Sequence, residues 1–74
     1  MVYVFEFYEA KPELTRTLID VQKHRAKTAD AADHRARTII ENIVMGGQMA
    51  NLCVIKDQMG GLVREVTRDA PHAL

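Results

Sequence analysis

One cysteine, Cys53, is all that this chain of 74 residues contains, so no disulfide can form within it. Net charge is missing too: ten lysines and arginines balance ten aspartates and glutamates. That balance argues against a strongly electrostatic partner for the domain as a whole. No apolar run approaches the roughly 18 residues that a membrane-spanning helix needs. The first residues, Met-Val-Tyr-Val-Phe-Glu-Phe, lack the basic stretch and small-residue cleavage site of a secretory leader. Together with the lone cysteine, this points to a reducing, cytoplasmic setting.

Recognisable catalytic and metal-binding patterns are also lacking. No Cys-x-x-Cys, no His-Glu-x-x-His and no acidic calcium-type loop occurs. The pairs Gly46-Gly47 and Gly60-Gly61 lack the Gly-x-x-x-x-Gly-Lys context of a phosphate loop, and they suit a helix stop and a hairpin turn. Asp30 and His34 lie one helical turn apart, and His24 precedes them, but the ligand number and spacing of a metal site are not indicated. An exposed i, i+4 pair accounts for the first two. Cys53 lies between Leu52 and Val54 in the most apolar segment, the setting of a small buried hydrophobe rather than a nucleophile. No catalytic residue, cofactor site or metal site is assigned, and the chain is not expected to be an enzyme.

What the sequence does contain is an ordered set of core patterns. Residues 2–8 are rich in β-branched and aromatic side chains, as strands are. Period-two alternation puts Tyr3, Phe5 and Phe7 on one face, assigned to the core, and Val2, Val4, Glu6 and Tyr8 on the other. Residues 9–13, with Pro12, form a turn. Residues 15–21 alternate again, with Thr15, Thr17, Ile19 and Val21 on one face and Arg16, Leu18 and Asp20 on the other. Residues 22–27 are polar and basic and read as a loop.

Thr28 can cap a helix, with Asp30 and Asp33 in its first turns where negative charge suits the helix dipole. Ala29, Ala32, Ala36, Ile39, Ile40 and Ile43 follow helical spacing, so a helix is predicted over 29–45, stopped by Gly46-Gly47. Asp33–Arg37 and Arg37–Glu41 are i, i+4 pairs on its solvated side. Residues 49–55 are apolar in both parities around Leu52-Cys53-Val54-Ile55 and predict a central strand. A glycine-bearing turn at 57–61 leads into a last strand over 62–67, and 68–74 is expected to be a flexible tail. Met45, Met49 and Met59 read as gap-filling core residues.

The expected fold is therefore one α+β domain: a four-stranded, mainly antiparallel sheet in ββαββ order with one helix on one face. The order of elements resembles a family of small uncharacterised bacterial proteins. The residues that carry the resemblance are Tyr3, Phe5 and Phe7, Asp20, the alanines Ala31, Ala32 and Ala36, and the turn residues Asp57 and Gly60. The chain departs from that pattern at Lys23, Ala26 and Thr28, where glycine, a larger apolar residue and an acidic cap are usual. The resemblance implies the fold and carries no assigned chemistry.

Two features remain for function. A domain of this size buries only about 60% of its unfolded surface, so its core is marginal and a partner is the ready source of extra stability. One helix covers only one side of four strands. Val2, Val4, Leu18 and some of Cys53 or Ile55 would then lie on an uncovered side, and a homodimer could bury them. The favoured reading is a non-enzymatic interaction or regulatory module that self-associates. The alternative is a nucleic-acid-binding protein using Lys23, Arg25, Lys27, Arg35 and Arg37, the one local excess of positive charge. Against it stand the neutral overall balance and the absence of an RNA-binding aromatic motif.

Overall fold

The computed structural model describes residues 1–13, 15–45 and 47–68. The elements are β1 (Val2–Ala10), β2 (Arg16–Arg25), α1 (Ala29–Ile40), β3 (Val44–Met45), β4 (Gln48–Met49), β5 (Leu52–Lys56) and β6 (Leu62–Thr67). Four strands form one sheet in the order β2-β1-β5-β6, and every neighbouring pair is antiparallel. The short strands β3 and β4 make a separate ribbon between the helix and β5. The α+β architecture and the ββαββ order of sheet and helix are those expected.

The core forms where α1 meets one side of the sheet. Tyr3, Phe5 and Phe7 from β1, Cys53 and Ile55 from β5, and Val66 from β6 face Ala32, Ala36 and Ile40 of the helix, with Ile43 and Ala50 beside them. Ala32 and Ala36 are wholly buried, and small side chains there let the helix approach the sheet closely. The helix lies mainly over β6 and β5, while β4 touches β1. Phe5 and Phe7 meet edge to face, with ring centroids 6.2 Å apart. Thr28 caps the helix, its hydroxyl accepting from the Ala31 amide at 3.1 Å.

Four expectations about local structure need correction. First, residues 22–25 are strand, not loop: β2 continues to Arg25 and pairs Gln22 with Phe5 and His24 with Tyr3. An edge strand needs only one partner, and β1 supplies a full ladder whatever the polarity of these side chains. On the helix side, Asp20, Gln22 and His24 instead bond to one another. Gln22 donates to Asp20 at 3.0 Å, and His24 Nε2 lies 2.8 Å from the Gln22 Oε1. The imidazole also stacks on Phe5, centroids 4.7 Å apart.

Second, the helix ends at Ile40, not at residue 45. The Asn42 amide donates to the Ile39 carbonyl at 2.9 Å, a tighter final turn, and the Asn42 side chain caps the Thr38 carbonyl at 3.2 Å. The β-branched pair Ile43-Val44 then prefers an extended path. Gly47, at φ 80°, serves the β3–β4 turn rather than a helix stop; Gly46 lies outside the described residues. Accordingly, β5 begins at Leu52 and not at residue 49.

Third, Ile19 and Val21 do not share a face. A bulge between Phe7 and Tyr8 sets Asp20 opposite Phe7 and Leu18 opposite Tyr8, leaving Ile19 between them. One extra residue reverses the parity of everything beyond it. Ile19 therefore packs against the core, while Val21 is exposed. Fourth, Met49 and Met59 are exposed rather than core-filling, Met59 almost fully at 93%; the Met45 side chain lies outside the described residues.

The two hairpins close as their residues dictate. The Lys11 amide donates to the Thr15 carbonyl at 2.9 Å around Pro12. Asp57 Oδ1 accepts from the Met59 and Gly61 amides, each at 2.9 Å, and Gly60 takes the positive φ of 85° that this turn needs. Asn51, just before β5, extends the sheet by imitation. Its amide accepts from the Ala10 N–H at 2.7 Å and donates to the Ala10 carbonyl at 2.9 Å, in the manner of a ladder partner. The Arg68 amide donates to the Asn51 carbonyl at 2.9 Å, so Arg68 is tied to the sheet. Residues 69–74 of the expected tail lie outside the described residues.

Candidate interaction face

The side of the sheet away from the helix is built by strand alternation. Register fixes three rows that run across the strands. Leu18, Tyr8, Leu52 and Thr67 form one. Val21, Glu6, Val54 and Glu65 form the next, and Lys23, Val4, Lys56 and Leu62 the third. Val2 and Arg25 pair at one end. The sheet thus presents an apolar-aromatic row, a row with two acids and a row with two bases. Val2, Val4 and Leu18 lie on this uncovered side, as expected. Cys53 and Ile55 do not: they pair with Phe7 and Phe5 and point into the core.

The face is not bare. Tyr8 donates its hydroxyl proton to Glu6 at 2.8 Å, and the Lys56 ammonium lies 3.1 Å from the same carboxylate. The Arg16 guanidinium sits 4.6 Å over the Tyr8 ring and reaches Glu65 at 4.0 Å. The Tyr8 hydrogen bond, with Lys56 beside it, holds the Glu6 carboxyl below the ordinary glutamate range despite partial burial. The same bond pushes Tyr8 up. Around this polar centre, Leu18 is 51%, Val21 47% and Leu62 65% exposed.

The five expected nucleic-acid-contacting cations do not gather into one track. Arg25, Lys27 and Arg35 line a common groove with Met1, Ala26 and Ala31. Lys23 sits on the open sheet face opposite Val4. Arg37 is committed to Asp33, its Nε donating to Oδ1 at 2.6 Å.

Asp33 belongs to a contact that sequence periodicity could not reveal. Arg64, on β6, reaches Asp30 at 2.6 Å and Asp33 at 3.4 Å, clamping the first turns of the helix onto the sheet. Arg64 is 31 residues from Asp33, and no local pattern joins them. The only signal was a pair of acids on a helix that also carries an apolar stripe. The bond from Arg37, with Arg64 second, holds the Asp33 carboxyl below its ordinary range. Its stabilising contribution is present above the unfolded-state value near 3.8 and is lost as pH falls through the lower folded value. Asp33→Asn should therefore lower the urea midpoint at pH 7, and the gap from the wild type should narrow as pH is taken below 3.8. A constant gap between the two proteins across that range would contradict the clamp.

The remaining reactive groups are engaged structurally. Burial pushes the Cys53 thiol up to about 12, with the Asp33 and Glu6 charges adding to it, so little thiolate exists at neutral pH. Burial, and then the charge of Arg35, holds His24 below the ordinary histidine value. Asp30 is taken by Arg64 while His24 lies against Phe5. Among the described residues no three His, Cys, Asp or Glu side chains come together as metal ligands, and no helix is long and apolar enough to cross a membrane. Comparison with family models, with curated proteins and with solved structures returns no match.

Proposed function

We propose that this protein is a non-enzymatic, cytoplasmic interaction module that self-associates through the open face of its sheet. The observation that carries the reading is the order of the rows on that face. The row holding Glu6 and Glu65 lies next to the row holding Lys23 and Lys56. A second copy, turned end for end about an axis between these rows, lays the acidic row over the basic row twice, as a symmetric contact requires, with each acid one strand away from a base of the partner. Leu18, Val21 and Leu62 would lose their exposure in the same step. Face-to-face packing of two sheets at about 10 Å is an ordinary solution for a layer with one uncovered side. A second copy also supplies the apolar burial that a chain of 74 residues is short of.

Sedimentation at micromolar concentration tests the reading. The wild type should run at twice the monomer mass of 8.4 kDa. Val21→Lys places a base in the acidic row at an exposed position, so that like charges meet across the contact. It should yield folded monomer, with an unchanged circular dichroism spectrum. A wild type that remains monomeric to high concentration, or a Val21→Lys protein that stays dimeric, would remove the proposal.

A further inference from the structure

We propose that the groove where β2 leads into α1 binds a small phosphate ester. The groove has a volume of about 500 Å3 and is lined by Met1, Arg25, Ala26, Lys27, Ala31 and Arg35. That is within the roughly 300–1,000 Å3 range of small-ligand sites. Its three cations come from three places: the end of β2, the connecting turn and the exposed side of the helix.

The distribution of ion pairs sets this groove apart. Lys11, Arg16, Arg37, Lys56 and Arg64 each lie on a carboxylate. Arg25, Lys27, Arg35, Lys23 and Arg68 have no carboxylate partner among the described residues, and of these the first three share one concavity. Asp30 and Asp33, the acids nearest Lys27 and Arg35 in sequence, are engaged by Arg64 and Arg37. Like charges gathered around an open volume repel one another, and a bound dianion reverses the sign of that interaction. Guanidinium groups bond phosphate oxygens in pairs, which suits Arg25 and Arg35. The rest of the lining, Met1, Ala26 and Ala31, is apolar and suits the carbon body of an ester better than bare phosphate. The interruption of the basic track at Arg37 favours a small molecule over a polynucleotide.

His24 supplies an internal reporter. It precedes Arg25, and the positive charge of Arg35 helps to depress it. An anion that neutralises Arg35 must move the His24 titration upward.

The test is a titration of the full chain with phenyl phosphate at low salt, followed by calorimetry and by the NMR signals of the His24 ring. Saturable one-to-one binding is expected, with an upward shift of the His24 midpoint. Arg35→Gln should weaken binding roughly ten- to a hundredfold, the effect of losing a hydrogen bond to a charged group. Lys11→Gln, which removes the same charge from a distant turn, should bind as the wild type does. Failure to saturate at millimolar phenyl phosphate overturns the proposal, as does equal weakening by Lys11→Gln. A ten-nucleotide oligothymidylate provides the last arm. If it binds far more tightly than phenyl phosphate and loses affinity in Lys23→Gln, the ligand is single-stranded nucleic acid and the small-ester assignment is wrong. None of these outcomes depends on whether the chain is a dimer.

Discussion

Replacing Phe5 with alanine is expected to leave the chain largely unfolded at room temperature. The ring is wholly buried at the centre of β1. It lies edge-on to Phe7 and flat against His24. Truncating a buried phenylalanine costs about 3–5 kcal/mol, the lost burial plus the cavity left behind. The aromatic contacts add about 0.5–1.5 kcal/mol each beyond burial. At about 0.05–0.15 kcal/mol per residue, the whole stability of a domain this long is roughly 4–11 kcal/mol. The loss is thus comparable with the total. Repacking offers little relief, because β1 is held on both edges by β2 and β5 and cannot move toward the helix. Phe5→Leu keeps most of the volume and should remain folded with a lowered urea midpoint. Met59→Ala, at an exposed side chain in the β5–β6 turn, should change the midpoint little, within about 0.5 kcal/mol. An alanine variant at Phe5 that melts cooperatively near the wild-type midpoint would show that β1 is not the centre of the core.

The readable parts of this fold are those set by a short, repeated pattern. Tyr3, Phe5 and Phe7 alternate cleanly, and all three are buried. The Asp57–Gly61 turn announced itself through residues that each perform a local backbone task. What escaped is what a period cannot encode. The bulge at Ile19 reverses strand parity by inserting one residue, and alternation read through it assigns Val21 to the wrong side. Residues 22–25 are polar because they belong to an edge strand whose inner face bonds to itself, so composition resembled a loop. The helix stripe runs on past its true end because Ile43 is buried from the ribbon approach, at a position helical spacing also demands. The candidate sites divide in the same way. Val2, Val4 and Leu18 follow from alternation. The clustering of Arg25, Lys27 and Arg35, without Lys23 and Arg37, depends on where β2 stops and how Arg37 pairs. The Arg64 clamp on Asp30 and Asp33 joins segments that share no local signal.

Ile40→Ala is expected to cost about 2–5 kcal/mol, the range for truncating a buried isoleucine. Ile39→Ala, one residue away, should cost about 1 kcal/mol, because its side chain is only partly buried against the core. The two substitutions share their chemistry and their place near the helix end. Both replace a β-branched residue with a better helix former, which favours the helix itself by a few tenths of a kcal/mol. Any difference between them therefore reports which line of side chains docks the helix. That line is Ala32, Ala36 and Ile40, spaced four residues apart and each at most 1% exposed. Ile40 is its last anchor before the chain leaves the helix, and it does not benefit from the Arg64 clamp at the other end. Losing it should loosen α1 before the sheet. Hydrogen exchange of the α1 amides should accelerate while the β1 and β5 amides keep their protection. Urea denaturation gives the stabilities, with an unchanged slope showing that the unfolded state is the same. Equal losses at positions 39 and 40 would mean that the helix meets the sheet along a different line. Uniform acceleration of exchange in the helix and the strands would mean that the helix has no independent opening and the domain unfolds as one unit.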